Sequence, residues 1–332
     1  MVASTALTSR ASILFIGTTE LPPQDPNDCC DSWQGVDSYA FDETAHKLSL
    51  LSSNVFKNSQ IPIAIGRTHI YTSWAQGRNL YASLSTVDPV SGYWQEQSLN
   101  GWPIEACGDK YLYQVEGNQL YLSGQVALML PYYAMMGTYI PSGERLLLFG
   151  YGYIETIQVN CNDGTLASLW RGPLPQWVAG WPSIDPSGHF VYADYATELN
   201  GNYVLTIFKV SDDGEWIFQE TMPFGIGSFF PNAFSSDGSH AYYWGGTWAA
   251  VNPQDGTFGE ISAFSPPSSL ELAMDPDGKY LFATKYLGKD SQGYMQGTTL
   301  VYSIGPTGAP TYLFQVDGGR FYWPTVIRLA DN

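Results

Sequence analysis

Leu270 to Thr284 reads LELAMDPDGKYLFAT: a short apolar run, an Asp-Pro-Asp-Gly turn, and a second run rich in strand formers. Pro276 presets φ for the second position of a tight turn, and Gly278 takes positive φ without steric cost. Tyr280, Leu281 and Phe282 then resume a strand at once. The unit recurs as Ile184-Asp185-Pro186-Ser187-Gly188 running into His189-Phe190-Val191-Tyr192, and as Ser235-Ser236-Asp237-Gly238 into Ser239-His240-Ala241-Tyr242. Looser copies are Ile140-Pro141-Ser142-Gly143 before Leu146-Leu147-Leu148-Phe149, Cys107-Gly108-Asp109 before Tyr111-Leu112-Tyr113, and Ile65-Gly66-Arg67 before His69-Ile70-Tyr71. Six such turns, spaced at roughly 35 to 50 residues, mark a repeat architecture.

A second signature alternates with these turns: two β-rich runs around a polar turn that often holds Gly. Its copies are residues 36–51, 80–95, a shortened 119–126, 155–170, 204–220, 249–263 and 300–316. Seven outer hairpins against six inner turns fit a ring completed from the other end of the chain. The strand from Ser12 to Thr18 leads into an outer hairpin with no inner strand before it, and Arg320 to Leu329 (RFYWPTVIRL) supplies the missing one. The expected fold is all-β: a seven-bladed β-propeller of four-stranded blades, closed by one C-terminal strand with three N-terminal strands. Closure removes free sheet edges. No stretch shows apolar residues at 3.6 spacing between capping signals, so helix is expected to be near zero. Residues 1–332 are read as a single domain, with 1–11 as an N-terminal extension.

Composition narrows the partners. Apolar residues make up 44% and aromatic residues 15% of the chain, enough for a large core, and no run approaches a membrane span. A net charge of −17, from 31 acids and 14 bases, repels phosphate backbones and anionic lipid, so neither nucleic acid nor membrane is expected. The N-terminus lacks the apolar segment of a secretory signal, giving a cytoplasmic expectation. Cys29, Cys30, Cys107 and Cys161 match no zinc spacing, and reduced thiols are the default.

The run from Ile13 to Leu51, with Ile16-Gly17-Thr18, Tyr39-Ala40-Phe41-Asp42 and Lys47-Leu48-Ser49-Leu50-Leu51, resembles the lactonase-like propeller family, as do the Asp-Pro-x-Gly turns. That family includes phosphogluconolactonase-like and carboxymuconate-cyclase-like proteins. The motifs are those of a fold and do not fix an activity. The gluconolactonase type implies a divalent ion such as Ca²⁺ that polarises the lactone carbonyl. Glu105, Asn232 and Glu271 stand in comparable positions. The cyclase type implies His and Arg that hold carboxylates. Here His46, His189 and His240 adjoin turns or lie in outer strands, His69 reads as structural, and no family His or Arg is carried over.

In a propeller, one rim is built from the start of each inner strand and the loop after the second strand. Those starts carry Trp102, Tyr133, Trp181, Phe229, Phe230, Tyr322 and Trp323. Convergent rings would form an apolar cup for a hydrophobic or planar small molecule. Three long rim segments, 18–35 with Trp33, 194–202 and 285–298 with Lys285, are read as lids. No nucleophile elbow, phosphate loop, zinc-protease helix or dinucleotide fingerprint occurs. The leading expectation is therefore a cofactor-independent cyclase or isomerase that folds a hydrophobic substrate by ring closure or cycloaddition. Tyr322, Lys285, Glu105 and Tyr133 are its candidate catalytic groups. Trp102, Trp181, Phe229, Phe230, Trp323, Trp33, Asn232 and Glu271 are the candidate substrate contacts. The alternatives are a metal-dependent lactone hydrolase and a non-catalytic binding propeller.

Overall fold

The computed structural model describes residues 13–21, 33–57, 63–65, 69–76, 79–88, 90–99, 101–108, 110–140, 142–150, 152–173, 183–196, 203–223, 231–264, 270–289, 291, 295–319 and 325–328. These residues form an all-β propeller without helix, in seven four-stranded sheets. Sheet 1 runs Thr325–Arg328, Ile13–Leu21, Trp33–Asp42 and Lys47–Lys57. Sheet 2 runs Ile63–Ile65, His69–Gln76, Asn79–Val87 and Trp94–Leu99, and sheet 3 Trp102–Ala106, Tyr111–Glu116, Gln119–Leu122 and Gln125–Met129. Sheet 4 runs Ala134–Ile140, Arg145–Gly150, Tyr153–Val159 and Leu166–Pro173, and sheet 5 Ser183–Ile184, Phe190–Ala196, Tyr203–Val210 and Trp216–Pro223. Sheet 6 runs Pro231–Phe234, His240–Tyr243, Thr247–Ala250 and Ser262–Ala263, and sheet 7 Leu270–Met274, Tyr280–Lys289, Met295–Ile304 and Pro310–Gly319.

The C-terminal strand closes the ring as the hairpin count requires. Ile13 pairs with Arg328 and Ile16 with Thr325, antiparallel. First strands of consecutive sheets pack on one another from sheet 6 through 7, 1, 2 and 3 to 4, which makes them the innermost layer. Apolar side chains fill the gaps between sheets. Ile13, Tyr39 and Phe41 of sheet 1 meet Phe282 and Val301 of sheet 7, while Tyr242 of sheet 6 meets Leu272 and Leu281 on the other face of sheet 7.

The inner turns stack as well. Gly278 has φ +70, and a Cβ there would strike the backbone of Ser236 in the turn of sheet 6. Glycine is thus required twice, for its conformation and for the close approach. Polar bonds cross the gaps with the same regularity: the Trp94 indole donates to Ser38 Oγ at 2.9 Å and the Trp216 indole to Thr156 Oγ1 at 3.0 Å.

Two expectations are corrected. Cys107 and Cys161 form a disulfide, with Cα atoms 5.5 Å apart, whereas reduced thiols were expected; Cys29 and Cys30 lie outside the described residues. The pairing follows from the repeat, because the inner turn of sheet 3 abuts the outer hairpin of sheet 4. Among the described residues no helix is long and apolar enough to cross a membrane.

In the segments read as lid loops, residues 18–21, 33–35, 194–196, 285–289 and 295–298 are strand. In sheet 7 the pairing passes Leu270–Lys285 and continues through Tyr286–Gly297 to Lys289–Met295. In sheet 1 it passes Ile16–Thr325 and continues to Leu21–Trp33, and in sheet 2 it runs on to Gln76–Asn79. Sheets 7, 1 and 2 therefore raise a wall above the inner strands. Sheets 4 and 6 stop level with theirs, at Ala134–Gly150 and Pro231–Tyr243.

Candidate functional site

Sheet 7 shows where the apolar core gives way to polar groups. Across its strands Ala273, Phe282, Val301 and Phe314 pair in one row, and all four belong to the core against sheet 1. Side chains alternate between faces with period two. The next row toward the mouth on that face is therefore Glu271, Thr284, Thr299 and Val316. Thr284 and Thr299 are fully buried, and the Thr299 hydroxyl has no hydrogen-bond partner among the described residues. Thr284 Oγ1 donates to the Glu271 carbonyl at 3.4 Å.

The opposing sheet is polar at the same face. Asp37 shares the side of its strand with Tyr39 and Phe41, which pack toward sheet 7, and it is buried. Its carboxylate accepts hydrogen bonds from Ser53 Oγ at 2.5 Å and from the Tyr39 hydroxyl at 3.2 Å. Thr325, at the mouth end of the closing strand, is buried too.

Glu271 is the member of this layer whose protonation is shifted by its surroundings. Burial raises its pKa from 4.5 to about 7, and among the described residues no cation draws it down. Lys285, on the second strand at the same level, pairs with Leu270 and so projects from the opposite face of the sheet. A carboxyl that titrates near neutrality in a partly buried niche is a suitable proton acceptor and donor.

The other sequence candidates are distributed as follows. Counting back from the turn glycines, Glu105 stands three before Gly108, Asn232 six before Gly238 and Glu271 seven before Gly278. From the equivalent pairs Ile104–Tyr113 and Ala273–Phe282, Glu105 lies one residue toward the turn and Glu271 two toward the mouth, so at a strand rise of about 3.3 Å per residue Glu105 sits about 10 Å deeper. There it is buried against His69 Nδ1 of sheet 2, a contact between neighbouring sheets. Asn232 Oδ1 is taken by the backbone N–H of Trp244 at 2.8 Å, holding the rim turn of sheet 6. The three groups do not converge. Among the described residues no cluster of three His, Cys, Asp or Glu side chains is placed to hold a metal ion.

Trp102 is committed to packing. Its indole donates to the Gly137 carbonyl at 2.8 Å and its ring meets Tyr71 edge-on at 4.8 Å, so it ties sheets 2, 3 and 4 together. Tyr133 is 59% exposed, beside the Gly117 turn. Trp33 begins the third strand of sheet 1. Trp181, Phe229, Phe230, Tyr322 and Trp323 lie outside the described residues. Asp37, Thr284 and Thr299 were missed by sequence reasoning; the signal available was a polar residue on the inward parity of a strand.

No protein-family model matches the chain, and no curated protein matches it. Solved structures do. A candidate 6-phosphogluconolactonase of Bacteroides uniformis aligns over 95% of this chain and 99% of its own, with TM-score 0.57 and 16% identity. Another from Bacteroides fragilis covers 96% and 98%, with TM-score 0.58 and 13% identity. A periplasmic gluconolactonase of Pseudomonas aeruginosa covers 96% and 100%, with TM-score 0.55 and 15% identity. At these identities the likeness is one of fold, and the fold is that of the lactonase-like propellers.

Proposed function

We propose that this protein is a hydrolase of small cyclic esters, and that its seven sheets act as seven blades around the substrate, with Glu271 between blades 7 and 1 as general base. The observation that carries the reading is the Glu271 carboxyl, raised to about 7 at the mouth end of an innermost strand. In its ionised form it takes a proton from water as the water oxygen bonds to the lactone carbonyl carbon. The ring C–O bond then breaks, and the same proton passes to the departing alkoxide. No charge is created or lost overall, and the carboxylate returns to its starting state. The fold neighbours described as lactonases support the choice of ester over other acid–base substrates. Ring closure or cycloaddition depended on a convergent aromatic cup, and Trp102, its best-described member, is spent on packing.

The test is hydrolysis of a panel of five- and six-membered lactones by purified protein, followed by pH-stat. Glu271→Gln is expected to lower kcat at least about 100-fold while the fold survives. Turnover unchanged in Glu271→Gln, or absent in the parent protein across the panel, would refute the reading.

A further inference from the structure

Sheet 4 carries a second group of rings and polar side chains, at the mouth end of its face toward sheet 3. Tyr153 pairs with Pro173 and Glu155 with Arg171 across its third and fourth strands, so Tyr153 and Arg171 are diagonal neighbours on one face. Tyr132, from the segment that joins sheet 3 to sheet 4, packs against both. Its ring stacks on that of Tyr153 with centroids 5.6 Å apart and planes 25° apart, and the Arg171 guanidinium stands 5.8 Å from its centroid. Gly150 lets the Tyr132 ring lie this close to the sheet, since a Cβ there would come within 2.6 Å of it.

The group is rigidly held and open on one side. Glu155 is fully buried and accepts from Arg171 Nε at 3.1 Å and Nη2 at 2.8 Å, which fixes the plane of the guanidinium. Among the described residues Nη1 has no partner, and the Arg171 side chain is 35% exposed. Stacking occupies one face of the Tyr153 ring, while the residue as a whole is 46% exposed. Beside it, a Cβ on Gly152 would meet nothing within 4 Å, so the space next to the ring is open.

Charge narrows the ligand. Arg171 and Glu155 cancel, so the site offers donors without net charge. An anion would find the pull of the guanidinium offset by the carboxylate behind it, in a chain of net charge −17. A purely apolar ring would leave the Nη1 N–H groups unused. A polyhydroxylated ring uses both features, laying its C–H face on the tyrosine while a hydroxyl oxygen accepts from Nη1.

We infer that this cluster is a binding site for a neutral sugar ring, a pyranose in free or glycosidic form. Sheet 4 stands three along the chain from sheet 7 and three from sheet 1, so a single ring bound here leaves the Glu271 niche clear. Tyr132 and Glu155 already hold the two contact groups in place, and binding therefore orders neither of them.

The test is saturation-transfer NMR and calorimetry with methyl β-D-glucopyranoside, methyl β-D-galactopyranoside and methyl α-D-mannopyranoside, with glucose 6-phosphate as the charged comparison. At least one methyl glycoside is expected to bind with a Kd of about 1–10 mM. Tyr153→Ala should weaken that binding at least about tenfold, and Tyr153→Leu, which keeps an apolar cover on Tyr132, at least about fivefold. Arg171→Met combined with Glu155→Leu removes the donors without stranding a charge, and should weaken it at least about threefold. Binding of none of the glycosides, binding unchanged in both Tyr153 variants, or tighter binding of glucose 6-phosphate than of the glycosides would overturn the inference.

Discussion

The hydroxyl of Tyr113 donates to the carbonyl of Gly164 at 2.8 Å, joining the second strand of sheet 3 to the outer hairpin of sheet 4. The same bond joins Tyr192 to Gly256 at 3.0 Å and Tyr242 to Gly308 at 2.9 Å, each time from one sheet to the next. All three tyrosines are fully buried, and burial pushes Tyr113 up to about 12. A tyrosine at this position fills the gap between sheets with its ring and satisfies a hairpin carbonyl with its tip. Replacing any of the three with Phe keeps the ring and removes the bond, leaving a buried carbonyl short of a partner. Each change should cost about 1–2 kcal/mol in urea unfolding with the m-value unchanged. Equal stability of all three Phe variants would show that the bonds are incidental to the packing.

The disulfide between Cys107 and Cys161 links the same pair of sheets, close to the Tyr113 bond, and closes a loop across a separation of 54 residues. A cross-link of that span stabilises chiefly by restricting the unfolded chain. The double variant Cys107→Ser, Cys161→Ser should therefore lose about 2–4 kcal/mol, and dithiothreitol should lower the midpoint of the parent protein but not of the variant. Mass spectrometry of unreduced protein checks the connectivity directly.

Glu155 tests how buried charge is managed at the rim. Its side chain is fully buried, and it accepts from Arg171 Nε at 3.1 Å, from the terminal guanidinium nitrogen at 2.8 Å, and from Ser168 Oγ at 2.5 Å. The fork of the guanidinium matches the carboxylate in a way lysine cannot. Arg171→Met strands a buried carboxylate and should cost about 3–5 kcal/mol. Arg171→Met combined with Glu155→Leu should recover most of that loss, because an apolar pair needs no compensation. If the double change is no better than the single one, the guanidinium is stabilising through its packing rather than its charge.

Sequence reasoning read the turns and hairpins well because each has its own chemistry. Asp185-Pro186, Asp237-Gly238 and Asp275-Pro276 specify tight turns through local backbone preference, independent of what surrounds them. Where tertiary pairing decides, the sequence was silent. Lys285 to Thr298 is punctuated by Gly288, Gly293 and Gly297 and reads as a loop, yet it builds the raised hairpin of sheet 7 through pairs such as Tyr286–Gly297. Cys107 and Cys161 carry no spacing motif, and only the stacking of one sheet on the next brings them together. Glu271 was legible as a candidate, but its raised pKa was not, since that depends on how sheets 7 and 1 bury it. Trp102 misled for the opposite reason, because an aromatic at the start of an inner strand serves blade packing as readily as a cup.

The same carboxyl predicts how stability depends on pH. Glu271 titrates near 4.5 when unfolded and at about 7 when folded, so the native protein holds this proton more tightly than the unfolded chain. Its contribution is fully present below pH 4.5 and is lost as pH rises toward and through 7. Glu271→Gln removes the titration and keeps a neutral side chain of similar shape. The stability of the variant relative to the parent should therefore rise between pH 4.5 and pH 8, by roughly 1–2 kcal/mol after allowing for the exposed part of the group. Urea unfolding of both proteins at pH 4.5, 6 and 8 measures the difference. A constant difference across that range would mean that Glu271 ionises as an ordinary surface carboxylate, and the pH-rate profile of lactone hydrolysis should then show no inflection near 7.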